Sequence, residues 1–259
     1  MLFINTRPQD RAEDLSHALR MAHIEVLDLP LLELTAQPWS QSLAQLYEQL
    51  PAAQVIVVVS PTAVSIGMDY LKKASIGLNQ LQQLQWIAVG EKTAQALAQY
   101  DITAVVPRIE TSEGMLQLPI LHSLQAGTCI AFWRGEGGRA FMMEQLKQQG
   151  VNVLNMVLYK RHCPAATQQN FPQILAILKQ QKQYLMVISS EASWINWLHL
   201  MLGQSHLISH GYYWVLGERL YQLLLEYRKK HHLCFNIARL TDLKTDSILQ
   251  KIAVVQGNT

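Results

Sequence analysis

Cysteine is scarce in this 259-residue sequence, and the three cysteines present, Cys129, Cys163 and Cys234, lie far apart. None of them belongs to a CxxC pair, and their number is odd. A disulfide-stapled secreted domain and a cysteine-based zinc site are therefore both disfavoured. We expect the chain to work in a reducing compartment, where buried cysteines act as small packing residues.

Charged residues are also few, at 15% of the chain, and the formal net charge is only +2. So balanced a charge gives no sign of a nucleic-acid-binding surface. No apolar run approaches the length of a membrane-spanning helix, and the first residues lead into a short strand rather than a signal peptide. We therefore predict a soluble, cytoplasmic protein that binds neither nucleic acid nor a membrane.

Short apolar strands alternate with helices along the whole chain. The run Val55–Val59 is entirely β-branched, which is typical of a strand buried on both faces of a parallel sheet. Ser60 and Pro61 then start a helix, with the serine as its N-cap and the proline in its first turn. A second strand, Trp86–Val89, leads through Gly90 into another helix. This alternation predicts an α/β protein with parallel sheets.

The same pattern occurs twice, about 127 residues apart, a period that indicates two related domains rather than a solenoid. Ser60 and Ser189 both follow a matched strand and precede a helix, so N-capping explains them without any ligand. The matching segments are Val57–Ala63 with Met186–Ala192, Ile87–Lys92 with Trp214–Arg219 and, more faintly, Ile109–Leu116 with Leu243–Leu249.

We predict two flavodoxin-like, doubly wound domains, one inserted in the other and joined by a two-stranded linker. Residues 36–159 form the inserted domain, in which one strand is placed at 101–106. Residues 1–35 and 160–259 form the discontinuous domain, whose last strand is placed at 232–237. The linker consists of the two extended crossings of the chain, near Leu29–Thr35 and Tyr159–Pro164.

Two motifs suggest a ligand. The glycine-rich segment Arg134–Arg139 follows a strand and precedes a helix, so its N–H groups can hold a carboxylate or a phosphate. The alternative is a surface turn, and the segment matches neither a dinucleotide loop nor a Walker A loop. His206 and His210 have the spacing of a helical metal pair, but their segment is turn-like and offers no acidic ligand. We expect no metal site.

Hydroxyl, glycine and arginine residues follow the predicted strands at their carboxyl ends, where open α/β sheets bind ligands. We expect these residues to face a cleft between the domains. Because they include almost no carboxylates, they suit a large polyanion rather than a metal or an acid–base pair of carboxylates. The candidate ligand-binding residues are Thr6, Arg7, Ser60, Gly90, Thr93, Arg134, Gly135, Ser189, Ser190 and Gly217.

The same positions resemble the uroporphyrinogen-III synthase family over essentially the whole chain. The similarity lies, in this order, in Asn5–Pro8, Ser60–Val64, Val89–Ala94, Arg134–Gly135 and Val157–Arg161. It implies a cofactor-free carbon–oxygen lyase of tetrapyrrole, and hence haem, biosynthesis, with an inserted two-domain fold. Family members convert hydroxymethylbilane, a linear tetrapyrrole that carries eight carboxylates, into uroporphyrinogen III.

The resemblance also implies a mechanism. Loss of the terminal hydroxyl as water leaves a cationic azafulvene on ring A, and the substituted carbon of ring D attacks it. The resulting spiro pyrrolenine fragments and recloses with ring D inverted. Because the substrate ionises readily, orienting it and shielding the cation matter more than a strong base. Tyr159 matches the family position suspected of protonating the departing hydroxyl, and the alternative role is an aromatic hinge residue.

Two departures from the family pattern put single contacts in doubt. Leu220 stands where the family often has threonine, and the later repeat lacks a proline equivalent to Pro61. We expect a monomer that acts on hydroxymethylbilane without metal or cofactor and makes transient contact with the enzyme that produces the bilane. The competing hypothesis is a non-catalytic two-domain binding protein or sensor for an anionic metabolite.

Overall fold

The computed structural model describes residues 1–109, 112–137 and 141–257, and its helices and strands alternate along the chain. The strands are β1 (Leu2–Asn5), β2 (Glu25–Asp28), β3 (Glu33–Ala36), β4 (Val55–Val58), β5 (Gln85–Ala88), β6 (Cys129–Gly135), β7 (Asn152–His162), β8 (Tyr184–Ile188), β9 (Gly211–Leu216) and β10 (Asn236–Leu240). The helices are α1 (Gln9–Met21), α2 (Gln41–Gln49), α3 (Pro61–Lys73), α4 (Glu91–Ala98), α5 (Ser112–Leu116), α6 (Pro119–His122), α7 (Phe141–Gln148), α8 (Ala165–Gln180), α9 (Glu191–Leu200), α10 (Ser205–Ile208), α11 (Gly217–Lys230) and α12 (Thr245–Gln256).

The chain divides into two compact units, each with its own five-stranded sheet. Unit 1 consists of Met1–Glu33 and Arg161–Thr259, and unit 2 consists of Leu34–Lys160. Unit 2 therefore interrupts unit 1 in the sequence. The pairs β1–β2, β1–β8, β8–β9, β9–β10, β4–β5, β4–β6 and β6–β7 are all parallel. This confirms the predicted α/β class.

The sheet of unit 1 has the order β2-β1-β8-β9-β10. Numbered along unit 1 alone, this is 2-1-3-4-5, the flavodoxin order. Helices α1 and α12 pack on one face through Leu15, Leu19, Ile248 and Ile252. Helices α8, α9 and α11 cover the other face, so the sheet is buried on both sides and the unit is doubly wound.

The sheet of unit 2 has the order β5-β4-β6-β7-β3, with α2, α3 and α4 on one face and α5, α6 and α7 on the other. If β4 and β5 are matched to β8 and β9, as the sequence repeat requires, then β6 and β7 fall on β1 and β2. The helices of matched strands also lie on matched faces. The repeat is therefore a structural one in which the order of the elements along the chain is circularly permuted.

The strand predicted at 101–106 is wrong. Only Val105 pairs, in a single parallel bridge with Ile87, and its N–H donates to Trp86 while its carbonyl accepts from Ala88. In such a ladder every second residue donates its N–H, so residue 107 would have to donate next. Residue 107 is a proline and has no N–H. The fifth strand of this sheet is instead β3, which lies beside β7, as a two-stranded linker requires.

Other boundaries differ by a few residues. The last strand starts at Asn236 rather than at residue 232, because His232 adopts a left-handed conformation and the following N–H still bonds back to Arg228. The helix expected near Thr111 begins at Ser112, and Thr111 itself lies outside the described residues. Among the described residues, no helix is long and apolar enough to span a membrane.

Candidate functional site

In unit 2 the candidate residues follow neighbouring strands at one edge of the sheet, which we call the carboxyl edge of unit 2. Strands β4 and β6 are adjacent there, but β4 leads into α3 on one face and β6 leads towards α7 on the other. Such a switch point opens a crevice in which doubly wound sheets bind ligands. Ser60 stands at the end of β4, and Gly135 at the end of β6.

A serine, a glycine and a tyrosine meet at this switch point. The hydroxyls of Ser60 and Tyr159 are 3.0 Å apart. A Cβ on Gly135 would lie 2.4 Å from the Tyr159 ring, so the ring occupies the space that any other residue at 135 would fill. The ring is 1% exposed, and its backbone carbonyl accepts a 2.6 Å hydrogen bond from the N–H of Glu136.

A β-bulge in β7 directs Tyr159 towards this cluster. Along β7 the side chains of Leu154, Met156 and Leu158 enter the same core, so a regular strand would send Tyr159 to the opposite face. The register instead shifts by one residue, with Arg134 opposite Val157 and Gly135 opposite Tyr159. Leu158 and Tyr159 therefore both lie in that core, which is the re-aiming effect expected of a bulge.

The remaining candidates of unit 2 lie beside this cluster. Gly90 is the N-cap of α4, after β5, and Thr93 is buried in the first turn of the same helix. Arg134 and Gly135 still belong to β6, so the expected loop starts later than the sequence indicated. The Arg134 guanidinium donates to the carbonyls of Gly135, at 3.2 Å, and Gly137. Gly138 and Arg139, the end of the predicted loop, lie outside the described residues.

The candidates of unit 1 also share one edge, the carboxyl edge of unit 1. Thr6 and Arg7 follow β1, Ser189 and Ser190 follow the neighbouring β8, and Gly217 follows β9 with a φ of 77°. The cap of α9 is Ser190, which accepts a 3.1 Å hydrogen bond from the N–H of Ser193, so the expected capping role of Ser189 is wrong. The Thr6 hydroxyl donates to the carbonyl of Val187 and joins β1 to β8.

Arg7 is a fixed, half-buried cation on this edge. One guanidinium nitrogen donates to the carbonyl of Leu243, ahead of α12. Its Nε atom is buried and has no hydrogen-bond partner within the described part of the chain. Burial lowers the pKa of Arg7, against the opposing effect of the Asp14 carboxylate. A partly desolvated guanidinium is suited to bind a carboxylate through those of its nitrogens that reach the surface.

Asn5 is a structural residue of this edge that sequence reasoning missed. Its side chain is fully buried and donates to the carbonyl of Ala12 and to the hydroxyl of Ser16, at 3.0 and 2.7 Å. Its Oδ1 accepts the N–H of Arg7 at 3.3 Å. The amide therefore fixes the turn that carries Thr6 and Arg7. The signals in the sequence were the Asn5–Pro8 segment of the family resemblance and a polar residue at the end of an apolar strand.

Among the described residues, side chains that commonly bind metal ions do not cluster at either edge. Throughout residues 1–109, 112–137 and 141–257, no group of three or more histidine, cysteine, aspartate or glutamate side chains is placed to hold a metal ion. His206 lies in α10, and its ring centroid is 6.3 Å from that of His210, with the planes perpendicular. The pair is therefore a ring contact in a short helix and its following turn.

Comparison with known proteins decides the family. The family model described as uroporphyrinogen-III synthase HemD matches residues 13–236. The chain belongs to the uroporphyrinogen-III synthase family. Among relatives of this name, the protein of Salmonella typhimurium is 31% identical over 164 residues, a match that covers 62% of this chain and 65% of that protein. The protein of Proteus mirabilis is 29% identical over 168 residues and is covered to 80%.

Solved structures agree with the family at the level of fold. A mutant uroporphyrinogen III synthase from the extremely thermophilic bacterium Thermus thermophilus superimposes with a TM-score of 0.66 over 99% of both chains, at 13% sequence identity. At that identity the similarity concerns the fold alone. The two-domain α/β architecture predicted from the sequence is thereby confirmed for this uroporphyrinogen-III synthase family member.

Proposed function

We propose that this protein is a uroporphyrinogen-III synthase, a carbon–oxygen lyase that cyclises hydroxymethylbilane with loss of water and inversion of ring D. The family match over residues 13–236 carries this proposal. It favours the synthase over the competing hypothesis of a non-catalytic sensor. In this role the protein acts in haem biosynthesis, and we place it in the cytoplasm as a monomer that requires neither metal nor cofactor.

The domain organisation is part of the proposal. We assign residues 1–35 and 160–259 to the discontinuous domain and residues 36–159 to the inserted one. The division of the chain into units that change at residues 33–34 and 160–161 supports this assignment. We propose that each domain binds substrate carboxylates at its own carboxyl edge.

The two edges match the chemistry of a polycarboxylate. Backbone N–H groups at the starts of α3, α4 and α9, the serine hydroxyls and the Arg7 guanidinium all favour carboxylates. We propose that Thr6, Arg7, Ser60, Gly90, Thr93, Arg134, Gly135, Ser189, Ser190 and Gly217 bind the acetate and propionate groups. Held in this way, the bilane has its ring D directed so that the substituted carbon, not the free one, reaches the ring A cation.

Tyr159 is the proposed source of the proton that leaves with the hydroxyl group. Its hydroxyl lies 3.0 Å from that of Ser60, and its ring packs against Gly135. General acid assistance is suited to a leaving group that departs as water. Because the substrate ionises readily, a Tyr159→Phe variant should be slower but should keep measurable activity.

Isomer analysis tests the function. Purified protein is incubated with freshly generated hydroxymethylbilane in buffer treated with a chelator, and the oxidised porphyrin products are separated. We expect isomer III, at a rate that the chelator does not reduce, because spontaneous closure gives isomer I. Formation of isomer I alone, with the bilane still bound by the protein, would favour the sensor.

A further inference from the structure

The Tyr159 hydroxyl lies behind Ser60 rather than at the surface of the carboxyl edge of unit 2. The Tyr159 side chain is 1% exposed, whereas Ser60 is partly exposed. The ring is held against Gly135, and the bulge at Leu158 and Tyr159 fixes the direction of the side chain. A group that must meet a substrate has to reach the surface, and in this pair only the serine does.

The hydrogen bonds that the Ser60 oxygen accepts determine which partners remain for its hydrogen. Its oxygen accepts the N–H of Ala63 at 3.1 Å, which is the N-cap bond of α3. The second contact of this hydroxyl is the 3.0 Å pair with Tyr159, in which either hydroxyl can be the donor. A hydroxyl has two lone pairs and one hydrogen. If Tyr159 donates, both lone pairs of Ser60 are used and the hydrogen of Ser60 is left for an acceptor outside the cluster.

We propose that Ser60 donates a proton to the substrate and that Tyr159, on the buried side of Ser60, replaces this proton. The inference rests on the proposed function and changes the role of both residues. Ser60 becomes the catalytic residue that contacts the departing hydroxyl group. Tyr159 becomes a positioning residue and a proton reserve, which accounts for a buried side chain at the place where an acid is expected.

The step balances with the groups present. The C–O bond of the hydroxymethyl group breaks, and its electron pair stays on the oxygen. The hydroxyl proton of Ser60 passes to that oxygen to give water, while the hydroxyl proton of Tyr159 passes to Ser60. A tyrosinate then lies near the substrate cation and stabilises it. The proton that the substrate loses when the macrocycle is completed returns to Tyr159.

A serine-to-glycine change isolates the hydroxyl. Ser60→Gly removes the donor, yet glycine is an acceptable N-cap, so the start of α3 should change little. We expect kcat to fall about 10- to 100-fold while KM changes little, because the contact forms only as the C–O bond breaks. Ser60→Thr keeps both the hydroxyl and the cap and should retain most activity. Unchanged kcat in Ser60→Gly would overturn the proposal.

Ser40 provides the matched control. It caps α2 in the same unit by a 3.3 Å bond from the N–H of Leu43, and its hydroxyl pairs with that of Ser42 at 2.9 Å. Ser40→Gly should lower thermal stability as much as Ser60→Gly but leave kcat unchanged. An equal loss of kcat in both variants would mean that the cap, not the hydroxyl hydrogen, matters, and would contradict the proposal.

The double variant Ser60→Gly/Tyr159→Phe tests whether the two residues act in series. If the proton passes from one to the other, the double variant should be no slower than the slower single variant. Two losses that multiply would show that the residues act separately, and would overturn the relay.

Raman spectroscopy gives a readout that does not depend on turnover. The intensity ratio of the tyrosine Fermi doublet distinguishes a phenol that donates from one that accepts, and the difference from Tyr159→Phe isolates this residue. We expect Tyr159 to be a strong donor whose pattern changes in Ser60→Gly. An acceptor pattern in the unchanged protein would overturn the proposal even if isomer III forms. If only isomer I forms, the proposed function fails, whichever pattern Tyr159 gives.

Discussion

The two carboxyl edges are built on matched elements but present different chemistry. In unit 2 the switch point holds two hydroxyls 3.0 Å apart, those of Ser60 and Tyr159. In unit 1 the matched region holds a half-buried cation, Arg7, and the Thr6 hydroxyl is used to join two strands. Both edges therefore carry helix starts of the same kind, while the side chains beside them differ. We propose that unit 2 serves proton transfer and that unit 1 serves charge recognition.

The sheets also differ at the strand that follows the second matched helix. In unit 1 this is β10, which pairs with β9 over five residues. In unit 2 the corresponding segment makes a single bridge at Val105, because Pro107 interrupts the ladder. The same position is therefore a strand in one copy and a loop in the other. The missing N–H of Pro107 explains why the pairing does not continue past Val105.

The largest expected effect on catalysis comes from Gly135→Ala. The added methyl group meets the Tyr159 ring at 2.4 Å, so the ring has to shift, which disturbs the 3.0 Å contact between the Tyr159 and Ser60 hydroxyls. Overpacking of this kind costs about 1–3 kcal/mol of stability, and kcat should fall more than in Tyr159→Phe. Kinetics of isomer III formation, together with thermal unfolding, measure both effects.

Gly203→Ala is the control for that variant. Gly203 has a φ of 77°, and within the described chain a Cβ there would meet no atom closer than 4 Å. The substitution should lower stability by about 1 kcal/mol through backbone strain alone and leave kcat unchanged. If Gly135→Ala kept full activity, the tyrosine–glycine contact would have no part in catalysis.

The next prediction concerns stability rather than kcat and is made in unit 1 for Asn5→Ala. The change leaves the carbonyl of Ala12 without the amide that it bonds in a fully buried site, and it frees the turn at Arg7. We expect a loss of about 2–4 kcal/mol in urea unfolding. Asn196→Ala, which removes one bond of 2.7 Å to Leu31, should cost about 1 kcal/mol. Equal losses would show that the Asn5 network adds nothing beyond a single bond.

The smallest effect concerns the ion pair between α11 and β10. Hydrogen bonds from Gln222 and then Arg239 lower the pKa of the exposed Glu218. A carboxyl group with a lowered pKa in the folded state stabilises it above its ordinary pKa, and this contribution is lost as the pH falls. Glu218→Gln should therefore be slightly less stable than the unchanged protein at neutral pH and equal to it in acid.

Glu226→Gln, at an exposed position of the same helix, is the control for this comparison. It should unfold like the unchanged protein at both pH values, because in the described structure Glu226 makes no ion pair with a basic side chain. A stability difference for Glu218→Gln that persisted in acid would assign the effect to packing rather than to charge.

The sequence was most informative where local chemistry decides the structure. The β-branched run at Val55 and the serine–proline start of α3 predict their elements because burial and capping are local. The bulge that turns Tyr159 towards Ser60 was not predicted, since it depends on register against Gly135. The strand expected at 101–106 failed for a related reason: apolar β-branched residues favour a strand, but a ladder also needs every second N–H.

The division of labour between the edges is tested most directly by the steady-state kinetics of two variants measured side by side. Tyr159→Phe should lower kcat and leave KM nearly unchanged, because the hydroxyl pair acts only as the C–O bond breaks. Arg7→Gln should raise KM about tenfold and leave kcat nearly unchanged, because the cation binds substrate and transition state alike. The same change in kcat and KM in both variants would contradict the account.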